Sequence, residues 1–426
     1  MKVLIISHNP ITTYQSMGKT FLSLFSEFLH EELCQLYVYP TLPDIDICNS
    51  YYKITDRNIF KSYFRFGKVN SREITSEQID TTKHDFCENK KEENFLNTKK
   101  TPLKTLCRDA MWKFSRWNNR FLNQWLMREK PTCIFLAPGE AKFIYDVALT
   151  ISKAYSLPII TYICDEFYFI DGVKECLDRP RLTLLKKKIR QLMNKTSCIV
   201  SISDEIMNLY SEEFNVPSVT IMTGASIPVA ENPNVGNSLR GITYLGNIAY
   251  DRTSSILDIG RALDEINLRN GSNVKLFLYT RSMSETIQNE LKKVKSIEYC
   301  GYVTGAEFNR ILQSADALLH IESFGETFTE KVKNSISTKI ADSLASGNPL
   351  VAYAPKGIAS MNYLISTKAA LTITDKDQLI EKLEKFVLES ELRVKIARSG
   401  LIAAKKNHIA KSNSVKLHEI CKEHSV

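Results

Sequence analysis

The stretch SISTKIADSLASGNPLVAYAPKG, residues 335–357, changes character twice. It begins as a polar loop, turns helical at Ser337 or Thr338, reaches Gly347 and ends in the apolar run PLVAYAP. Serine and threonine cap helices because their hydroxyls accept hydrogen bonds from first-turn amides. A glycine suits the left-handed position that closes a helix. The stretch therefore predicts a loop, a helix and a buried strand, the unit from which α/β folds are built. The predicted helix start also carries chemistry. Free N–H groups, two hydroxyls and Lys339 form a cradle suited to a diphosphate. Asp342 follows Thr338 by four residues and Lys339 by three, so it lies on the same face one turn deeper. A carboxylate there can accept hydrogen bonds from a ribose diol. An ordinary capped helix with a solvent lysine would show the same residues.

Outward from this block, short β-branched runs alternate with helical patterns. KVLIIS, QLYVYP, TCIFLAP, PIITYIC, SCIVSIS and SVTIMTG read as buried parallel strands in the first half. GITYLG, VKLFLYT, IEYCGYV, ALLHIE, PLVAYAP and AALTIT form a second series. The pattern breaks between them in ASIPVAENPNVGNSLRG, rich in Pro, Asn and Gly. The expectation is two doubly wound α/β domains: 1–228, a linker at 229–240, and 241–405. Residues 406–426 would form a C-terminal helix packing back toward the first domain. Two such domains place a cleft at the C-terminal edges of their sheets, a usual site for a ligand. The polar stretch from about 50 to 100 reads as a variable excursion, and enlarged surface loops of this kind are often partly mobile. A helix is expected over about 103–128, with Leu103, Leu106, Ala110, Trp117, Phe121 and Trp125 as a core stripe.

Composition narrows the function classes. With 43% hydrophobic and 24% charged residues over 426 positions, the chain has ample core material for two domains. Its apolar runs fall well short of the ~20 residues of a membrane span. The N-terminus reads as a first strand rather than a secretory signal. The ten cysteines include no C-x-x-C pair, and they read as free buried thiols in a reducing cytoplasm. Neither they nor the scattered histidines show zinc-ligand spacing, so no metal is expected. The net charge of +8 is uneven: nine basic residues against two acids lie between Lys99 and Lys130, and LLKKKIRQLMNK (184–195) is a second basic run. Such segments attract anionic lipid, a phosphorylated substrate or nucleic acid, or they serve as solvated helix faces. No nucleic-acid-binding pattern accompanies them.

The 335–357 block resembles the second-domain signature of group 1, family 4-like glycosyltransferases, in the subset with a Ser-Thr-Lys-Ile step before LASG-P, known from bacterial polysaccharide synthesis. The resemblance extends over most of the chain and implies the GT-B fold, two Rossmann-like domains. It implies donor-binding roles for Ser337, Thr338, Lys339 and Asp342, the last standing where Glu is more usual. YLGNIAYDRTSSILDIGRAL (244–263) is similar to the family's strand, glycine turn and helix. By that likeness Gly246 permits close approach and Arg252 contacts the donor diphosphate, as a guanidinium beside a glycine turn can. Asn247 occupies a position often held by arginine. IEYCGYVTGAEFNRILQSADALLH (297–320) resembles the elements that hold the base, with Tyr302 and Val303 in contact with it.

In HNPITTYQSMGKTF (8–21) only Gly18 matches the glycine loop that approaches the donor. YICDEFYF (162–169) falls where relatives have acidic residues near the acceptor, which implies a catalytic role for Asp165. Cys164 stands where some relatives have histidine. Acids ending a strand also commonly cap the next helix. The implied activity is retaining transfer of a sugar from a nucleotide-sugar donor, UDP before GDP, to a hydroxyl of a saccharide or lipid-linked saccharide. No cofactor is implied. The expected location is the cytoplasm, with peripheral contact to anionic membrane. A catalytically inactive nucleotide-sugar-binding protein is the alternative reading, and a sugar-nucleotide epimerase a third.

IESFGETFTE (321–330) holds Glu322 and Glu330 at the spacing of a retaining-transferase motif. It is out of register with Gly347, and the acidic position five residues before that glycine is Asp342. Glu322 follows the strand ALLHI and is kept as a catalytic-site candidate contacting the sugar. Glu330 is read as part of an enlarged loop leading to Ser337.

Overall fold

The computed structural model describes residues 1–13, 16–64, 69, 71–74, 78–79, 101–170, 177–281 and 283–426. They divide into two compact units, Met1–Ile221 with Ser414–Val426, and Met222–Asn413.

The first unit is built on eight strands: β1 (Val3–Ser7), β2 (Leu33–Tyr37), β3 (Ser50–Lys53), β4 (Arg72–Ile74), β5 (Cys133–Ala137), β6 (Ile159–Ile163), β7 (Thr196–Ser201) and β8 (Ser218–Thr220). Their order is β4-β3-β2-β1-β5-β6-β7-β8, and only the β3–β4 pairing is antiparallel. The inner strands are apolar throughout because both faces are covered. In β1, Leu4 and Ile6 enter one core and Val3 and Ile5 the other. Leu417 and Cys421, from the closing helix Ala410–Glu423, complete the second of these cores.

The second unit carries β9 (Gly241–Leu245), β10 (Lys275–Tyr279), β11 (Ile297–Gly301), β12 (Leu318–Ile321), β13 (Leu350–Tyr353) and β14 (Leu371–Ile373). All its pairings are parallel, in the order β11-β10-β9-β12-β13-β14. The order reverses where β9 meets β12, and ligands bind at such switch points beyond the strand ends. One face packs Ile242, Leu319 and Val351 into a core with the helices Arg252–Asn270 and Leu379–Leu388. The other packs Leu318, Leu350 and Ala352 against Ile340 and Leu344 of the helix Thr338–Ala345.

Four sequence expectations change. Residues 229–240 are no free linker, because Ala230 N–H donates to Ala345 O and Asn234 N–H to Gly347 O, both at 2.8 Å. The division falls instead at Ile221/Met222. The stretch of about 50–100 contains β3, the helix Asp56–Ser62 and β4; residues 65–68, 70, 75–77 and 80–100 lie outside the described residues. The single helix over 103–128 is two, Pro102–Phe114 and Arg120–Glu129. Asn119 caps the second by accepting from the amides of Phe121 and Leu122. The break rotates the apolar face, so Trp112, Trp117 and Trp125 are buried while Leu103 and Phe121 are exposed. Finally, Glu330 sits on the helix Glu326–Val332 rather than in a loop, paired with Lys333 at 3.3 Å.

Candidate functional site

β9, β12 and the helix Thr338–Ala345 deliver side chains to one cavity of about 40 Å³ inside the second unit. Its walls include Arg252, Glu322, Ser337, Lys339 and Asp342, together with Tyr244 and His320. After β9, the turn at Gly246 leads to Asp251, in the left-handed region at φ +57°, and the long helix then opens with Arg252. After β12, the Glu322 amide donates to Tyr353 O at 3.2 Å, and Ser255 Oγ donates to Glu322 O at 2.8 Å. The chain is thus held at the point where Glu322 turns inward.

Arg252 and Glu322 form a two-bonded ion pair: Nε donates to Oε2 at 2.8 Å and Nη2 to Oε1 at 2.9 Å. Such fork-to-fork pairing fixes the guanidinium plane. Arg252 Nη1 also donates to Asn247 O at 3.3 Å, and Tyr244 Oη donates to the same carbonyl at 2.7 Å. Asn247 thus contributes its backbone here, while its side-chain oxygen accepts from the Ala249 amide. Burial pushes the Glu322 carboxyl up, against the pull of Arg252 and Lys339.

Lys339 lies close to the glycine turn, and a Cβ built on Gly246 would stand 2.5 Å from its Nζ. Burial, then Arg252, lowers Lys339 to about 8, while Glu322 works in the opposite direction. Ser337 is the N-cap of its helix, but its side chain makes no capping bond. Asp342 Oδ1 accepts from Ser226 N–H at 2.6 Å and Ser226 Oγ at 2.9 Å, so in this state it holds the segment before the second sheet.

His320 was not singled out from sequence. It is buried at 8% exposure, and among the described residues its Nε2 has no hydrogen-bond partner. Burial, with Arg252 and Lys339 beside it, lowers it to about 3, so the imidazole is neutral.

The other candidates are not among the residues that line the cavity. Thr338 opens the helix without lining the cavity. Tyr302 and Val303 follow β11: the Tyr302 ring is exposed under the Arg281 guanidinium at 5.2 Å, and Val303 packs partly into the core near Ile311. In the first unit, Gly18 belongs to the helix Ser16–Leu24, and a side chain there would collide with the Thr12 backbone. Asp165 is exposed just after β6. Glu166 caps none of the described helices. Its Oε1 accepts from the amides of Tyr168 and Phe169 and from Tyr210 Oη, holding the turn beyond Asp165. Among the described residues, no group of three or more His, Cys, Asp or Glu could hold a metal ion. None of the described helices is long and apolar enough to cross a membrane.

Residues 265–419 match the family described as "Glycosyl transferase-like". No curated protein matches the chain by sequence. Among solved structures, sucrose-phosphate synthase from Thermosynechococcus elongatus superposes with a TM-score of 0.60 at 10% identity, over 99% of this chain and 98% of that one. Anabaena HepE, in complex with UDP and glucose, gives 0.60 at 9%, over 99% and 100%. A trehalose-6-phosphate protein from E. coli, bound with UDP-2-fluoro glucose, gives 0.61 at 9%, over 99% of each chain. Likeness at this identity establishes the fold, two Rossmann-like sheets of the GT-B kind. The family match over 265–419, together with this fold, supports a glycosyltransferase.

Proposed function

We propose that the protein is a retaining glycosyltransferase that takes a sugar from UDP and passes it to a hydroxyl of a saccharide or lipid-linked saccharide, in cell-surface polysaccharide synthesis. The observation that carries this reading is the meeting of Arg252, Lys339 and the helix start at Ser337 on one cavity wall. Two cations and free helix amides are what a leaving diphosphate requires. Two structures of the same fold hold UDP or a UDP-sugar, which favours that nucleotide over GDP. In the reaction, the bond from the anomeric carbon to the phosphate oxygen breaks and a bond to the acceptor oxygen forms on the same face. The acceptor proton passes to the leaving phosphate. The protein's share is positioning and stabilisation of charge, and the scheme requires no metal and no cofactor.

In this scheme Thr338 supports the helix start, Tyr302 and Val303 border the base, and Asp342 turns from Ser226 to the ribose. Glu322 contacts the sugar, Gly18 approaches the donor, and Asp165 orients the acceptor. The basic run on the helix Asp178–Met193 suits an anionic lipid surface at the cytoplasmic face of a membrane. Incubation with a panel of UDP- and GDP-sugars and saccharide acceptors tests the reading. Transfer with retention from a UDP-sugar is expected. Nucleotide binding without transfer or donor hydrolysis would instead favour an inactive binding protein. Failure to sediment with anionic vesicles at low salt would remove the membrane element.

A further inference from the structure

β12 reads Leu318-Leu319-His320-Ile321, and it is an interior strand with β9 on one side and β13 on the other. His320 shares a face with Leu318, the face covered by the helix Thr338–Ala345, and its register partner on β13 is Ala352. Nothing apolar in this surrounding calls for an imidazole. Leucine or valine would fill the position without a desolvation penalty, whereas a buried polar group without a partner costs about 1–3 kcal/mol. Buried polar atoms in native proteins are nearly always satisfied, so an exception points to a missing water, ion or ligand. Here the exception lines a cavity of about 40 Å³ that Arg252, Lys339 and Ser337 also line.

The charges around it define the ligand. Arg252 and Lys339 both act on the imidazole electrostatically, so the space they share carries positive potential. Glu322 offsets Arg252 through both carboxylate oxygens and acts on Lys339 electrostatically, which leaves two cations against one carboxylate. An imidazole kept neutral beside two cations can still donate one N–H to an anion, without adding a third positive charge to the apo site.

We infer that His320 is a further donor-binding residue, whose Nε2–H hydrogen-bonds the diphosphate seated between Arg252 and Lys339. This rests on the donor-diphosphate reading above. The residue acts in binding and in holding the leaving group, and it transfers no proton.

The test uses the full chain, with UDP and uridine as probes. In wild-type protein labelled with 15N-histidine, the buried neutral imidazole is expected to shift its Nε2 resonance on saturation with UDP and not with uridine. His320→Leu is expected to weaken UDP binding about tenfold and leave uridine binding unchanged. His320→Gln, which restores a donor, is expected to recover most of that loss. An equal loss for UDP and uridine would mark a packing role and overturn the inference. So would an unresponsive Nε2 in wild-type protein that binds UDP, an observation independent of any variant's folding. Wild-type protein that binds no UDP would overturn the donor reading itself, and this inference with it.

Discussion

Arg252 and Glu322, seventy positions apart, meet through two hydrogen bonds of 2.8 and 2.9 Å on the wall of the cavity they share with Lys339. The pair fixes the plane of the guanidinium on the cavity wall. Removing one partner leaves a buried charge uncompensated, whereas replacing both with apolar groups need not destabilise. Arg252→Met is therefore expected to lower unfolding stability by about 3 kcal/mol. Arg252→Met/Glu322→Leu recovers most of that without restoring transfer. Urea denaturation beside an activity assay measures both.

With Lys339 seating the diphosphate as proposed, donor affinity is expected to depend on pH. Its folded value of about 8 lies below the ~10.4 of an unfolded lysine. Bound diphosphate would favour the protonated amine, so UDP affinity is expected to be highest below pH 8 and to fall as pH rises through that value. The UDP phosphate itself titrates near about 6 and contributes little in this window. Unliganded stability runs the other way. Between pH 8 and about 10 the unfolded chain binds more protons than the fold, so the Lys339 contribution to stability rises with pH. Titration calorimetry from pH 7.5 to 9.5 is expected to show this loss of affinity in the wild type and a flat profile in Lys339→Arg.

Gly246 leaves room for that lysine. An alanine Cβ would stand 2.5 Å from Lys339 Nζ and 2.8 Å from the Tyr244 hydroxyl. The flexible lysine yields first. Gly246→Ala is expected to reduce UDP affinity about tenfold while shifting the melting temperature by only a few degrees. A large melting shift with unchanged affinity would mean the tyrosine moved instead.

Glu330 and Glu322 respond oppositely to amidation. Glu330 is exposed on its helix and pairs with Lys333 in a surface contact, an arrangement worth at most about 1 kcal/mol. Glu330→Gln is expected to retain transfer within about twofold. Glu322→Gln loses the paired carboxylate at the cavity and is expected to reduce transfer at least tenfold. Initial-rate measurements on the two variants decide between them.

What was legible in the sequence follows from local physics. The alternation of apolar runs and helical patterns carries both parallel sheets, because strands covered on both faces must be apolar along their length. The Ser337–Asp342 block announces a helix start through residue chemistry within one turn. Arg252 could be placed only through resemblance, because its partner Glu322 is brought to it by β9 and β12 pairing side by side. His320 escaped notice because one histidine inside an apolar strand looks like core. Its signal is a polar side chain with no local reason to be there, which becomes visible only when its partners can be counted. The split helix at Ser115–Asn119 was half visible as a broken stripe, and Asn119 was the cap that could have revealed it. The segment 229–240 has a linker's composition, yet its backbone binds the Ala345–Gly347 helix end, a long-range pairing that composition does not encode.

In the proposed reaction, Arg252 and Lys339 seat a nucleotide's diphosphate in the second unit. Equilibrium binding of UDP and uridine to wild type and to Lys339→Met at pH 7 tests it most directly. Loss of a charged hydrogen bond is worth about 1.5–3 kcal/mol, so a ten- to hundredfold loss of UDP affinity is expected, with uridine binding unchanged. UDP binding by the folded variant within twofold of wild type would contradict it.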